Sequence, residues 1–181
     1  MKKKHHVFIW TLSLWAIFCL PRDGISAPDV EIIGSERFTN QIVQALTLLK
    51  RKAPEAHGIV ISYVKRIEQG ARSGMWAYKT PPKFEMGDRT TFYSVTWCAA
   101  AIAHDSLHSK LYHNYKAMQH GPVPDAIWTG TEAEKLCMQH QLAVMERIGA
   151  PKNEIDHAKR LADAHYVNDK ETWRDYQKRN W

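Results

Sequence analysis

The chain has 181 residues, a formal net charge of +6, 44% hydrophobic and 24% charged residues, and seven tryptophans. That length and balance fit one domain with a proper core and exclude a disordered chain or two full-sized domains. No Lys/Arg cluster alternates with aromatic residues, so a nucleic-acid partner is not expected.

The first 27 residues predict a secretory signal peptide. Lys2, Lys3 and Lys4 form a positive start, Val7 to Leu20 is uncharged and apolar, and small residues follow up to Ala27. The apolar run of about 14 residues is short of the roughly 20 that span a bilayer as a helix. Phe18 before Cys19 is too large for a lipoprotein box. The expectation is a mature single domain, 28–181, periplasmic or secreted, with no stable membrane insertion after cleavage. The removed segment carries Lys2, Lys3, Lys4 and Arg22 against Asp23, so the mature chain falls to a net charge of about +3.

Residues 30–33 read as a short strand closed by Gly34. Ser35 is placed to cap a helix whose apolar positions, Phe38, Ile42, Ala45, Leu46 and Leu49, recur at helical spacing. That helix ends in Lys50, Arg51 and Lys52, cations suited to the negative end of its dipole, and Pro54 limits it. The next stretch predicts a short helix running into a strand around 63–68, since Ile59, Val60, Ile61 and Val64 are β-branched. A turn at 70–74 leads to two short strands, 75–78 and 83–86, joined across Pro81 and Pro82.

Nothing breaks a helix between Thr90 and Lys116, and Tyr93, Trp97, Ala101, His104, His108 and Tyr112 fall on one stripe. Gly121, Pro122 and Pro124 end it. A second long helix opens near Thr131 with a core stripe of Ala133, Leu136, Cys137, His140, Val144 and Ile148, and stops at Gly149 before Pro151. Residues 155–166 form a further amphipathic helix, and 171–181 suggest one more. The expected fold class is α+β, mainly helical: a small sheet of short strands packed on a long helix and on the glutamate-bearing helix that follows.

Within the first long helix, His104 and His108 lie four residues apart, so both imidazoles share one face. Imidazoles stacked in this way can share a divalent ion, zinc above all, and Asp105 sits where the attacking water needs a base. A catalytic zinc takes three protein ligands and an open fourth position, so one more donor is required. Glu132 and Glu134, 24 and 26 positions past His108, are the candidates. Each also reads as part of a capping box, with Thr129 and Thr131 respectively.

This pattern resembles the zincin metallopeptidases, specifically the gluzincin arrangement of His-Glu-x-x-His followed by a helix carrying a glutamate ligand. The resemblance covers residues 75–148. It implies Zn2+ as cofactor, His104, His108 and Glu132 as ligands, Asp105 as general base and a peptide or protein as substrate. Glu132 is implied because the family's ligand commonly precedes a small residue, here Ala133. The sequence departs from the family at Asp105, which stands where a glutamate is usual and is one methylene shorter. Tyr112, His113 and His140 are candidate oxyanion donors.

Two other functions compete. His104-Asp105 also matches the dyad of HD-type metal phosphohydrolases, which need an earlier histidine (His57 alone is available) and a distant acid, Asp163 or Asp169. The second is a non-catalytic exported domain whose histidines hold a structural ion or none. Cys98 and Cys137 are either a disulfide joining the two long helices or two buried thiols.

Overall fold

A computed structural model describes residues 30–165. Residues 1–29 and 166–181, which include the expected signal peptide (1–27) and the expected terminal helix (171–181), lie outside the described residues. The elements run β1 (Glu31–Ile33), α1 (Glu36–Lys52), α2 (Pro54–Tyr63), β2 (Arg66–Gly70), β3 (Gly74–Trp76), β4 (Lys83–Gly87), α3 (Asp88–Thr91), α4 (Val95–Met118), α5 (Asp125–Trp128), α6 (Thr131–Ile148) and α7 (Lys152–His165). The fold is α+β and mainly helical, as the hydrophobic patterning predicts.

The four strands form one mixed sheet in the order β1-β2-β4-β3. β1, β2 and β4 are parallel and β3 is antiparallel to β4, with Met75 opposite Phe84 and Ile67 also opposite Phe84. Strand alternation then puts Ile67, Met75, Phe84 and Met86 into the core. The other face carries cross-strand ion pairs, Arg66 to Glu31 at 2.8 Å and Lys83 to Glu68 at 2.9 Å. These are partly exposed and contribute little individually.

Ser35 caps α1 by accepting a hydrogen bond from the Phe38 N–H at 3.2 Å. Phe38, Ile42, Ala45 and Leu49 are fully buried on its inner face. Burying a side chain of the size of Phe, Ile or Leu contributes about 1.5–3 kcal/mol.

Two expectations are corrected here. The expected short helix and following strand are present, but α2 continues to Tyr63 and the strand begins only at Arg66 instead of around Tyr63. Pro54 sits at the helix start and Ala56 and Val60 are buried four residues apart, so tertiary packing overrides β-branched propensity. The first long helix is also interrupted near its start. Ser94 accepts from the Trp97 N–H at 2.8 Å and begins α4, which separates the one-turn α3 from it and leaves Tyr93 exposed.

The axis of the domain is α4. From Trp97 to Ser106 every residue is buried, together with His108 and Ser109. Its run Cys98-Ala-Ala-Ala-Ile-Ala103 presents small side chains on all sides, so α1, α2 and α6 approach closely. Ser109 Oγ donates to the Tyr63 carbonyl at 2.7 Å and ties α4 to the end of α2.

Helix α6 runs antiparallel to α4. His108 lies across from Glu134, Ala101 and Gln141 line one cavity, and Trp97 shares an apolar cluster with Met145. The buried face of α6 is Ala133, Glu134, Cys137, Met138, Gln141, Val144, Met145 and Ile148. Leu136, expected in the core, is half exposed, and His140 is only partly buried. Gly149 ends α6 in the left-handed conformation, φ 77°, as its position before Pro151 implies.

Candidate metal centre

His104 and His108 sit mid-helix on α4, and their rings face one another with Nε2 atoms 3.0 Å apart. Glu134, in the first turn of α6, completes the group. One of its carboxylate oxygens lies 3.5 Å from His108 Nε2 and the other 3.6 Å from His104 Nε2. All three side chains are buried, at 2% exposure or less. Among the described residues this is the one set of three His, Cys, Asp or Glu side chains whose donor atoms converge.

The distances fit a cation. Two ligands held about 2.0–2.2 Å from a tetrahedral ion are about 3.3–3.6 Å apart. The imidazole nitrogens are 3.0 Å apart, each faces its own Glu134 oxygen at 3.5–3.6 Å, and one donor atom from each residue lies within 4.8 Å of the other two, a convergence close enough for one ion to be shared. The donor chemistry, two imidazole nitrogens and a carboxylate, suits zinc-like borderline ions better than calcium or magnesium, which take oxygen ligands. The protein can thus bind a metal ion at His104, His108 and Glu134.

One further contact sets the tautomer. His108 Nδ1–H donates to the main-chain carbonyl of Trp128 in α5. With the proton fixed on Nδ1, the Nε2 lone pair faces His104 and Glu134, as metal coordination requires. The carbonyl is held by local structure: Thr129 Oγ1 donates to the Asp125 carbonyl at 2.9 Å, and Gly130 packs tightly on α5. A Cβ at Gly130 would lie 2.8 Å from the Ala126 carbonyl oxygen. Trp128 itself is buried, with its ring edge-on to Tyr112 and Tyr78.

Glu132, the ligand implied by the family resemblance, is not the acid at the histidines. Its side chain is exposed and pairs with Lys135 at 2.7 Å. The reason is helical phase: Glu134 lies on the inward stripe of α6, whereas Glu132 lies about 160° around the helix from it. Neither capping box forms. Gly130 is the N-cap and no side chain caps α6, because Thr129 bonds instead to the turn behind it.

Asp105 is buried beside His104, and the two line a small cavity with Trp97, Ala101 and Gln141. The cavity holds about 10 Å3, room for about one water molecule. The three expected oxyanion donors do not join the cluster. Tyr112 packs on Trp128, and His113 stacks against Tyr63. His140 lines a groove with Ala53, Glu55 and Arg147; burial, then the charges of His104 and Lys110, hold its pKa below the usual range. His57 lies in a different groove, with Val43, Lys50 and Ile61, and does not approach the His104-Asp105 dyad as a phosphohydrolase site requires. Asp169 is outside the described residues.

Cys98 and Cys137 are separate buried thiols. The antiparallel register explains this. Cys137 faces the level of Asp105, and Cys98 lies seven residues earlier in α4, about 10 Å away along the helix, too far for a disulfide. Burial pushes Cys98 up to about 12. Cys137 is raised too, by burial and then by the neighbouring Glu134 and Asp105 carboxylates. At pH 8 the Cys98 thiolate fraction is about one part in ten thousand, by the ordinary logarithmic relation of pH to ionisation. A chromogenic disulfide reagent is therefore expected to leave both thiols unmodified in the native protein and to modify both after unfolding. Fast native reaction contradicts the burial described here.

Fold and centre together define a mainly helical α+β domain built around a buried His-His-Glu cluster. No family model, curated protein or solved structure matches the chain. Among the described residues no helix is long and apolar enough to cross a membrane.

Proposed function

We propose that this protein is an exported, zinc-dependent hydrolase of peptide bonds, organised in the manner of the gluzincin metallopeptidases, with His104, His108 and Glu134 as ligands and Asp105 as general base. The observation that carries the reading is the convergence of two imidazole nitrogens and a buried carboxylate within 4.8 Å of one another, with a water-sized cavity and a second carboxylate alongside. Three ligands leave a fourth position for the reaction.

A zinc ion held there supplies Lewis-acid polarisation of the scissile carbonyl and lowers the pKa of the attacking water. Asp105 accepts a proton from that water as its oxygen bonds to the carbonyl carbon. The same carboxyl then returns the proton to the leaving nitrogen as the C–N bond breaks. His108 keeps its orientation through Trp128 while this occurs. The cavity at Asp105 admits a water and no peptide, so turnover requires an opening movement along its wall.

The same closure favours a second reading, an exported domain whose ion is structural, since structural sites are typically sealed. One experiment separates the two. Purified mature protein is analysed for bound metal and incubated with unstructured peptides, with chelator and with zinc restored. About one zinc per chain, with cleavage lost to chelator and recovered on zinc addition, is the expected result. Stoichiometric metal without cleavage selects the structural reading, and no bound metal removes both.

A further inference from the structure

Asp105 is one methylene shorter than the glutamate usual in the gluzincin arrangement, and a buried amide side chain, Gln141, lines the cavity beside it. Gln141 lies on the inward stripe of α6, 5% exposed, and shares the small cavity with His104 and Asp105. The remaining walls, Trp97 and Ala101, bring little besides apolar surface to face a solvent molecule. A buried amide side chain lining a water-sized space can bind its occupant, because it both donates and accepts hydrogen bonds.

We propose that Gln141 is a positioning residue that holds, with Asp105, the water molecule consumed in hydrolysis. This rests on the hydrolase reading for its catalytic consequence, but the water site itself does not. A carboxylate can only accept from a water, which leaves the water free to rotate. A second partner fixes its oxygen. Gln141 reaches in from α6 while Asp105 projects from α4, so the two clamp the cavity from opposite helices. Holding the water from α6 removes the need for a longer carboxylate on α4, and a displacement of about 1 Å costs roughly 100-fold in rate when geometry controls the reaction.

The test compares wild type with Gln141→Leu, which keeps the volume and removes the amide, and with Gln141→Glu, which keeps a polar group of the same length. Metal content and melting temperature are measured first, and both are expected to stay at wild-type values in Gln141→Leu. Peptide hydrolysis is then expected to fall about 10- to 100-fold in kcat with KM unchanged, and Gln141→Glu recovers part of the loss. An active, metal-loaded Gln141→Leu with wild-type kcat overturns the proposal. A high-resolution crystal structure of the zinc-loaded protein supplies the second readout. Ordered solvent between Asp105 and Gln141 is expected in wild type and absent in Gln141→Leu. Should that solvent be present while neither protein cleaves peptide, the water site stands and the hydrolase reading falls. Wild-type crystals with no solvent there overturn the site itself.

Discussion

Replacing Glu134 with alanine is expected to lower zinc affinity by more than about 100-fold, while Glu132→Ala leaves it unchanged. Second-layer partners of a metal typically contribute 10- to 100-fold, and a direct ligand exceeds that. Among the described residues, Glu134 is the carboxylate that lies within 3.6 Å of both imidazoles, and its exposure is 2%. Glu132 points to solvent and pairs with Lys135, and such an exposed pair contributes roughly 0–1 kcal/mol to folding. Competition against a chromophoric chelator reads both affinities directly. Equal loss in the two variants, or loss in Glu132→Ala alone, shows that α6 is rotated from the orientation described here.

For Asp105→Asn the expected result is retained zinc and turnover reduced by about 100- to 10,000-fold, the range in which general acid–base catalysis contributes. Asparagine preserves the volume at this buried position, exchanges one accepting oxygen for a donating NH2, and takes up no proton. The variant therefore separates the chemical role from packing, provided that zinc content and melting temperature match wild type. Hydrolysis at the wild-type rate removes Asp105 from the mechanism. Asp105→Glu is the complementary variant. It restores the longer side chain of the gluzincin pattern, and the reach it adds intrudes on a cavity with room for about one water.

The order of helices and strands is legible in the sequence because each carries a local signal. Ser35 and Gly149 mark ends, and the stripe from Phe38 to Leu49 marks a face. The two histidines come together for the same reason, since i, i+4 spacing on a helix is local geometry. The third member of the cluster is a question of helical phase. The stripe Ala133, Leu136, Cys137, His140, Val144, Ile148 is a plausible apolar face, yet α6 buries Met138, Gln141 and Met145 instead of Leu136 and His140. Centring the stripe on Met138 and Met145 brings Glu134 inward. Polar Gln141 in that stripe disguises it. The interruption at Ser94 was readable as a serine N-cap, but the continuous helical propensity around it hides the signal. The short helix before the second strand is legible, but its continuation to Tyr63 goes with the packing of α2 on α4, which no local pattern reports.

The hydrogen bond from His108 to a peptide oxygen has a consequence for how the site tolerates genetic change. A main-chain acceptor is present whatever side chain occupies the position, so no single substitution at Trp128 deletes the group that aims the ring. Vulnerability is transferred to a residue with no functional group at all. Gly130 is seated against the backbone of Ala126 with no room for a methyl, and any larger occupant must push that one-turn helix aside. Drift at a silent-looking glycine would thus loosen the imidazole's aim, while drift at the conspicuous tryptophan need not.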